Sequence, residues 1–261
     1  MTTKSVAKAL DILEGVCNSS TALDLHLISD ALDLPNPTVH RLLQTLMEYG
    51  YARQDRETRK YSPGLKIFEL SQAVIAGLQF TEIAREPLRR LANATQETIH
   101  LAVLDYTDVI YLQKHESNNP VALYSRVGRR ASAHCTGVGK LLLAYLPETE
   151  RAAVLQSARF PTFTKNTITD RASLEAELAQ IKHQGYSVDN MEHEDGVCCI
   201  ACPIRGHTGE VIAAVSITTT SLRLKMDGLM THLPTLAATV DEISRELGYV
   251  VSPKTASRNG A

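Results

Sequence analysis

The stretch that decides the fold is Asp33-Leu34-Pro35-Asn36-Pro37-Thr38-Val39-His40-Arg41-Leu42-Leu43-Gln44-Thr45-Leu46, with Gly50-Tyr51-Ala52-Arg53-Gln54-Asp55-Arg56-Glu57-Thr58-Arg59-Lys60-Tyr61-Ser62 close behind it. Pro35 stops a preceding helix, Asn36 suits an N-cap, and Pro37 suits a first helical position, where its missing N–H costs nothing. A helix is expected from Pro37 to about Tyr49, with Val39, Leu42, Leu43 and Leu46 inward and Gly50 as the residue just past its end. Residues 51–54 and 60–62 then read as two short strands around a polar tip, 55–59. Upstream, Val6, Leu10, Leu13 and Cys17 recur at helical spacing over Lys4 to about Asn18. A second short helix runs from about Asp24, its N-cap, to Leu32, with Leu25, Ile28 and Leu32 inside. Three short helices and a ribbon make a winged helix-turn-helix.

A helix of this kind fits the major groove, where base edges are distinguishable. The outward residues of the third helix are Thr38, His40, Arg41, Gln44 and Thr45. The wing offers Arg53, Arg56, Arg59 and Lys60 to phosphates. From Asn36 to Lys66 there are six basic residues (Arg41, Arg53, Arg56, Arg59, Lys60, Lys66) against three acidic ones (Glu48, Asp55, Glu57). The whole chain carries 27 Lys and Arg against 29 Asp and Glu, a net charge of -2, so binding to DNA would rest on this local patch. Periodicity alone fits equally well a structural or protein-binding bundle whose wing charges are simply solvated.

The remaining sequence suits a second, larger domain. A chain of 261 residues with 44% hydrophobic content fits two domains. It has no apolar run long enough to span a membrane and no apolar leader after Met1, so a soluble cytoplasmic protein is expected. The five cysteines, at 17, 135, 198, 199 and 202, form no disulfide framework and are expected to be reduced thiols. A linker helix is expected from Leu65 to about Leu78 and another helix from Thr81 to Thr95. Strands are expected at Glu97–Asp105, Val109–His115, Ala122–Val127, Tyr186–Asp189, Cys198–Ile204 and Val211–Thr220. Helices are expected at Gly137–Tyr145 with Thr136 as N-cap, from Pro147, at Ala172–Gln184, and over 227–247. The fold class is α+β, a mainly antiparallel sheet covered by helices. The expected domains are 1–64 (winged helix), 65–80 (linker helix) and 81–250, followed by a disordered tail at 251–261.

Several patterns invite chemistry and resist it. Gly137-Val138-Gly139-Lys140 lacks the spacing of a phosphate loop, which needs Gly at the position of His134 and Ser or Thr at that of Leu141. The start of that helix could hold a carboxylate through its free N–H groups, or the glycines only permit close packing. Cys199-x-x-Cys202 on a strand points to opposite faces, so no metal and no cofactor is expected. Glu192-His193-Glu194-Asp195 reads as a solvated loop. An enzyme using Cys135 or Cys199 with His134 is the rival reading, but adjacent His134 and Cys135 on extended backbone would diverge. A DNA-architectural protein without an effector is the other rival. Against it stands Ser216, Thr218 and Thr220, a polar row on one strand face, which suggests a pocket; local hydrogen bonding to neighbouring strands is the bland account.

Pro37 to Leu46, Gly50-Tyr51 and Lys60-Tyr61-Ser62 resemble the isocitrate lyase regulator (IclR) family. So do Tyr124 to Arg130, Thr136 to Ala144, and Asp189-Asn190 through Gly196 to Ile204. The likeness runs from about Val6 to Gly248, and the second half is most similar to members that govern sugar-acid catabolism. The chain departs at Asp33, where the family often has Gly, and at Asn36-Pro37, which replaces a commoner Lys or Ser pair. The resemblance implies a non-enzymatic regulator that binds an inverted-repeat DNA operator as a homodimer or dimer of dimers and senses a small organic acid. It implies an effector site at Gly137, Val138, Asp189, Val197, Cys199, Ser216 and Thr218, an apolar wall near Leu123 and Ala131, and Arg126 as the nearest arginine.

Overall fold

The turn between the second and third helices is made by Asp33, whose φ of 50° and ψ of 48° lie in the left-handed region that Asp tolerates better than most side chains. In the computed structural model, which describes residues 3–116 and 125–250, the chain divides into two compact units, Met1–Gln79 and Phe80–Ala261. The first holds α1 (Lys4–Asn18), α2 (Leu25–Leu32), α3 (Asn36–Glu48), the ribbon β1 (Ala52–Gln54) and β2 (Tyr61–Pro63), and α4 (Leu65–Ala76). Its core is Ile12, Val16, Ile28, Val39, Leu43, Ala52 and Tyr61. Asp24 caps α2 by accepting from the Leu27 N–H. Asn36 does not cap α3. Pro35 stands at that position and its carbonyl accepts from Thr38 and Val39, while the Asn36 amide lies 3.1 Å from His26 Nδ1. The helix expected as a linker belongs to the first unit, where the Gly64 N–H donates to the Tyr51 carbonyl and the Lys66 N–H to that of Gly50.

The second unit is built on a six-stranded antiparallel sheet of order β5-β4-β3-β8-β7-β6. Its strands are β3 (Thr98–Asp105), β4 (Asp108–His115), β5 (Arg130–Ser132), β6 (Ser187–Asn190), β7 (Val197–Arg205) and β8 (Val211–Thr220). Alternation sorts the side chains. Ile99, Leu101, Cys198, Ile200, Cys202, Val215 and Ile217 pack against α5 (Phe80–Thr95), α9 (Met226–Met230) and α10 (Leu233–Glu246). Ala102, Ala201 and Ala214 face the other way, toward α6 (Gly137–Tyr145), α7 (Glu148–Ser157) and α8 (Arg171–Gln184).

Two expectations change here. The single helix over 227–247 is two, because Pro234 lies in the first turn of α10 and cannot continue α9. The strand expected at Ala122–Val127 is absent from its described part, residues 125–127. There the chain turns at Gly128, with φ of 81° and its N–H donated to the Tyr111 carbonyl, and the strand β5 begins only at Arg130. The rest of that strand, Leu123 of the expected site and the tail at 251–261 lie outside the described residues.

The glycines of α6 are there for space. A Cβ on Gly139 would sit 2.4 Å from the backbone of Ala133, and one on Gly137 would sit 2.6 Å from Cys199 Sγ. Gly139→Ala should therefore destabilise the second unit by roughly 1–3 kcal/mol through overpacking. Gly15→Ala, exposed in the last turn of α1 with nothing within 4 Å of the added atom, should stabilise the first unit by up to about 1 kcal/mol. Urea titrations of the two variants check both signs, and equal effects would contradict the packing argument.

Candidate functional site

In the first unit, α3 exposes His40, Arg41, Gln44 and Thr45, with Thr38 half-buried, on the side opposite Val39 and Leu43. Thr45 Oγ1 donates back to the Arg41 carbonyl. The wing tip is organised by Asp55, which accepts from the Glu57 and Thr58 N–H groups and the Thr58 hydroxyl; these bonds from Thr58 hold its carboxyl below the usual range. Arg56, Arg59 and Lys60 project from that tip into solvent. Arg53 is exposed too, but its Nε donates to Ser62 Oγ across the ribbon.

The second unit contains a cavity of about 380 Å³ between the start of α6 and one end of the sheet, within the size range of small-ligand sites. The structure brings Ala131, Gly137, Val138, Asp189, Val197, Cys199, Ser216 and Thr218 together along its walls. Arg126 does not line it; Arg129 and Arg130 do, and Arg130 is paired with Asp105 and Asp108. The helix entrance offers fewer amides than its three leading residues suggest. Thr136 Oγ1 takes the Gly139 N–H, and the Gly137 N–H also meets the Cys199 sulfur, which leaves Val138 and a shared Gly137 amide to serve a ligand.

Other wall residues carry no family expectation. His100, on β3, is buried between β8 and the segment after β4. Its Nδ1 lies 3.1 Å from Thr218 Oγ1 and its Nε2 lies 2.7 Å from Ser125 Oγ. Burial, helped by Lys114, pushes its pKa down to about 3, so the ring is neutral. Tyr111 packs against it with ring centroids 5.0 Å apart. Phe163 and His193 stand together at the wall, centroids 5.1 Å apart. Strand alternation could have flagged His100, which interrupts the apolar run of β3. Phe163 and His193 lie outside the regular elements, where no periodicity marks them.

Asp189 is buried and accepts from the Glu192 N–H at 2.8 Å. Burial raises its pKa to about 7. The solvated loop expected at 192–195 is overturned at its first residue: Glu192 is buried, with Oε1 2.5 Å from Lys140 Nζ, while its carbonyl accepts from Thr164 and Thr167. Lys140, only 1% exposed, also meets Glu177 at 3.1 Å. It is occupied by carboxylates and is not directed at the cavity's ligand space.

The thiols are not activated. Cys135 donates to the Ser132 carbonyl, and burial pushes its pKa up, as it does that of Cys199. His134 and Cys135 lie in a 3-10 turn, not on extended backbone, and they still diverge: the His134 ring lies 3.2 Å from the Pro161 carbonyl, beside Phe160. A nucleophile without a base has no route to the thiolate it needs. Cys198 and Cys202 face the α5 and α10 side, opposite Cys199. Among the described residues no group of three or more His, Cys, Asp or Glu side chains is placed to hold a metal.

Comparison with known proteins gives concordant results. The family model described as "Bacterial transcriptional regulator IclR C-terminal" matches residues 72–245, and that described as "IclR helix-turn-helix domain" matches residues 5–56. The chain is 37% identical over 246 residues to the HTH-type transcriptional regulator XynR of Escherichia coli K12, covering 94% of this chain and 98% of that one. The crystal structure of the Thermotoga maritima IclR matches with a TM-score of 0.75 at 29% identity, over 94% of this chain and 99% of that one. An IclR homologue from Microbacterium hydrocarbonoxydans, solved in complex with 4-hydroxybenzoate, matches with a TM-score of 0.79 at 26% identity, over 93% and 98%.

The raised Asp189 pKa makes a pH-dependent contribution to stability. Between about pH 4 and 7 the unfolded chain has released a proton that the native carboxyl still holds, so stability falls as pH rises through this window. Asp189→Asn should make that fall shallower. Urea unfolding at about pH 5 and pH 7.5 measures it, and a parent and variant with equal slopes would show Asp189 to be ionised across the window.

Proposed function

We propose that this chain, which belongs to the IclR family of bacterial transcription regulators, changes its operator affinity when a small organic acid fills the cavity of its second unit. Its DNA-binding domain is a winged helix-turn-helix and its C-terminal domain is of the effector-binding type. The observation that carries the acid is the cavity's chemistry. An apolar wall at Ala131 and Val138 faces the hydroxyls of Ser216 and Thr218, and the first amides of α6 sit at the positive end of a helix dipole. Such a wall holds a carboxylate by Gly137 and Val138 and a second oxygen by the β8 hydroxyls. The buried Asp189 takes a ligand hydroxyl. A hydroxylated or keto acid of sugar-acid size suits this better than a neutral sugar, and the complex of a relative with 4-hydroxybenzoate supports a carboxylate with a second oxygen.

On DNA, α3 enters the major groove with Arg41 at the bases and His40, Gln44, Thr38 and Thr45 beside it, while Arg53, Arg56, Arg59 and Lys60 follow the phosphates. One winged helix covers only a half-site, so two copies read an inverted repeat. The exposed apolar residues Val6 and Leu10 of α1 and Leu65, Phe68 and Val74 of α4 supply the contact between copies. No helix among the described residues is long and apolar enough to cross a membrane, in keeping with a regulator that works in the cytoplasm.

Arg41→Ala should weaken specific binding by roughly 1–3 kcal/mol. Arg56→Ala and Arg59→Ala should weaken all sequences alike and lower the salt slope by about one unit each. Operator titrations over a salt series, with light scattering to count two chains per site, check this; three variants that bind like the parent would mean that another surface meets DNA.

Ligand binding shifts operator affinity only through its differential affinity for the two states of the protein. A thermal-shift screen of sugar acids and keto acids identifies the ligand, since binding to the native state alone raises stability. Ser216→Val should then abolish the response to that acid while ligand-free operator binding persists. A variant that responds at the parent's acid concentration would remove Ser216 from the site, and an acid that binds without changing operator affinity would leave a DNA-binding protein without an effector switch.

A further inference from the structure

We propose that His100 is the specificity-determining residue of this cavity: its tautomer sets whether the hydroxyls of β8 give protons to the ligand or take them, and an acid oxygen selects the Nδ1–H form. The inference rests on the reading of the cavity as an acid site and adds to it the group that decides how the hydroxyl row is oriented.

The row is continuous. Ser125 Oγ lies 2.7 Å from His100 Nε2, His100 Nδ1 lies 3.1 Å from Thr218 Oγ1, and Thr218 Oγ1 lies 3.3 Å from Ser216 Oγ. All four residues line the cavity. Each hydroxyl has one proton to give, and a neutral imidazole has one donor and one acceptor nitrogen. Burial keeps His100 neutral, so with every bond kept the row has two tautomeric states, and only the Nδ1–H state leaves a β8 hydroxyl proton, from Ser216 or Thr218, for the ligand. With the proton on Nδ1, Ser125 donates to Nε2, Nδ1 donates to Thr218, Thr218 donates to Ser216, and the Ser216 hydroxyl gives its proton to the ligand. With the proton on Nε2 every bond reverses, and the cavity meets lone pairs that suit a ligand hydroxyl.

A carboxylate or keto oxygen only accepts, so it stabilises the first direction. The imidazole allows either direction without creating a charge. A buried lysine or arginine at this position would fix donors and add a cation that costs desolvation. The ring is also packed in place: Tyr111 lies against it at a tilt of 47°, and the backbone pairs His100 with Ser216 across β3 and β8. His100 is thus both placed opposite the ligand-facing hydroxyl and wired to it.

The test uses full-length protein labelled with 15N-histidine. Pyruvate, gluconate and glucose serve as probes, and the His100 signal is assigned by its loss in His100→Asn. An acid that raises the melting temperature of the parent should, at saturation, give His100 as the Nδ1–H tautomer. His100→Phe, which keeps the ring and removes both nitrogens, should bind that acid at least tenfold more weakly. His100→Asn, whose amide can donate from near the Nδ1 position, should stay within threefold of the parent. An Nε2–H tautomer in the acid complex overturns the inference, and so does a His100→Phe variant that binds like the parent. If His100→Phe does not fold, the tautomer in the parent decides. If no sugar acid or keto acid of the screen, pyruvate and gluconate included, raises the melting temperature of the parent, the acid reading of the cavity fails and this inference falls with it; if an acid binds and His100 is not the Nδ1–H tautomer in that complex, this inference alone fails.

Discussion

The buried ammonium of Lys140 holds the second unit's site in shape. It lies in the middle of α6, meets Glu192 from the turn between β6 and β7, and meets Glu177 from α8. Burial pulls the pKa of Lys140 down, but Glu192 and then Glu177 outweigh it and hold it above the usual lysine range. Glu192 is less well served: burial raises its pKa against the pull of Lys140, and its Oε2 is buried without a hydrogen-bond partner among the described residues. Removing one member of such a set leaves an uncompensated buried charge, which costs about 3–5 kcal/mol. The pair therefore fixes where α6 begins relative to β6 and β7 at least as much as it stabilises them.

That placement has consequences one residue at a time. With α6 pinned, Gly137 presses on Cys199 and Gly139 on Ala133, contacts that any side chain would break. Glu192 in turn donates its N–H to Asp189, so the same turn that neutralises Lys140 holds the carboxyl that lines the cavity. The cavity wall and the ion set are two sides of one piece of structure. A motif that looks like a phosphate loop in the sequence is instead a tightly packed helix start whose lysine points away from any phosphate and into a pair of carboxylates.

The electrostatics follow from burial. Inside the cavity the titratable groups are mostly uncharged: His100 has lost its proton, the Cys199 thiol keeps its own, and Asp189 is balanced near neutrality. Asp108, Arg129, Arg130 and Glu194 also line it, the two arginines with solvent-exposed side chains and Arg130 already paired with Asp105 and Asp108. A site of this kind reads a ligand through hydrogen bonds and a helix dipole more than through ion pairs. Specificity then depends on which wall groups donate and which accept, because a mismatch leaves a buried polar group unpaired.

What the sequence determined by itself was local. Periods of 3.6 and 2 marked the three helices, the wing and the long strands, and caps such as Asp24 and Thr136 marked where helices begin. The motifs carried the family and, through it, the wall residues from Gly137 to Thr218. Alternation on β7 alone separates Cys199 from Cys202, because strand geometry fixes which side chains share a face. The tertiary structure alone decided the rest. His100 meets a hydroxyl 118 positions away and Lys140 a carboxylate 52 positions away, and no local period encodes such partners. It also turned Glu192 from a solvated charge into a buried one, and put Pro35 at the cap where Asn36 was expected. In each case a partner brought from elsewhere in the chain, His26 for Asn36 and Lys140 for Glu192, offered the side chain a bond that its own sequence neighbourhood did not supply.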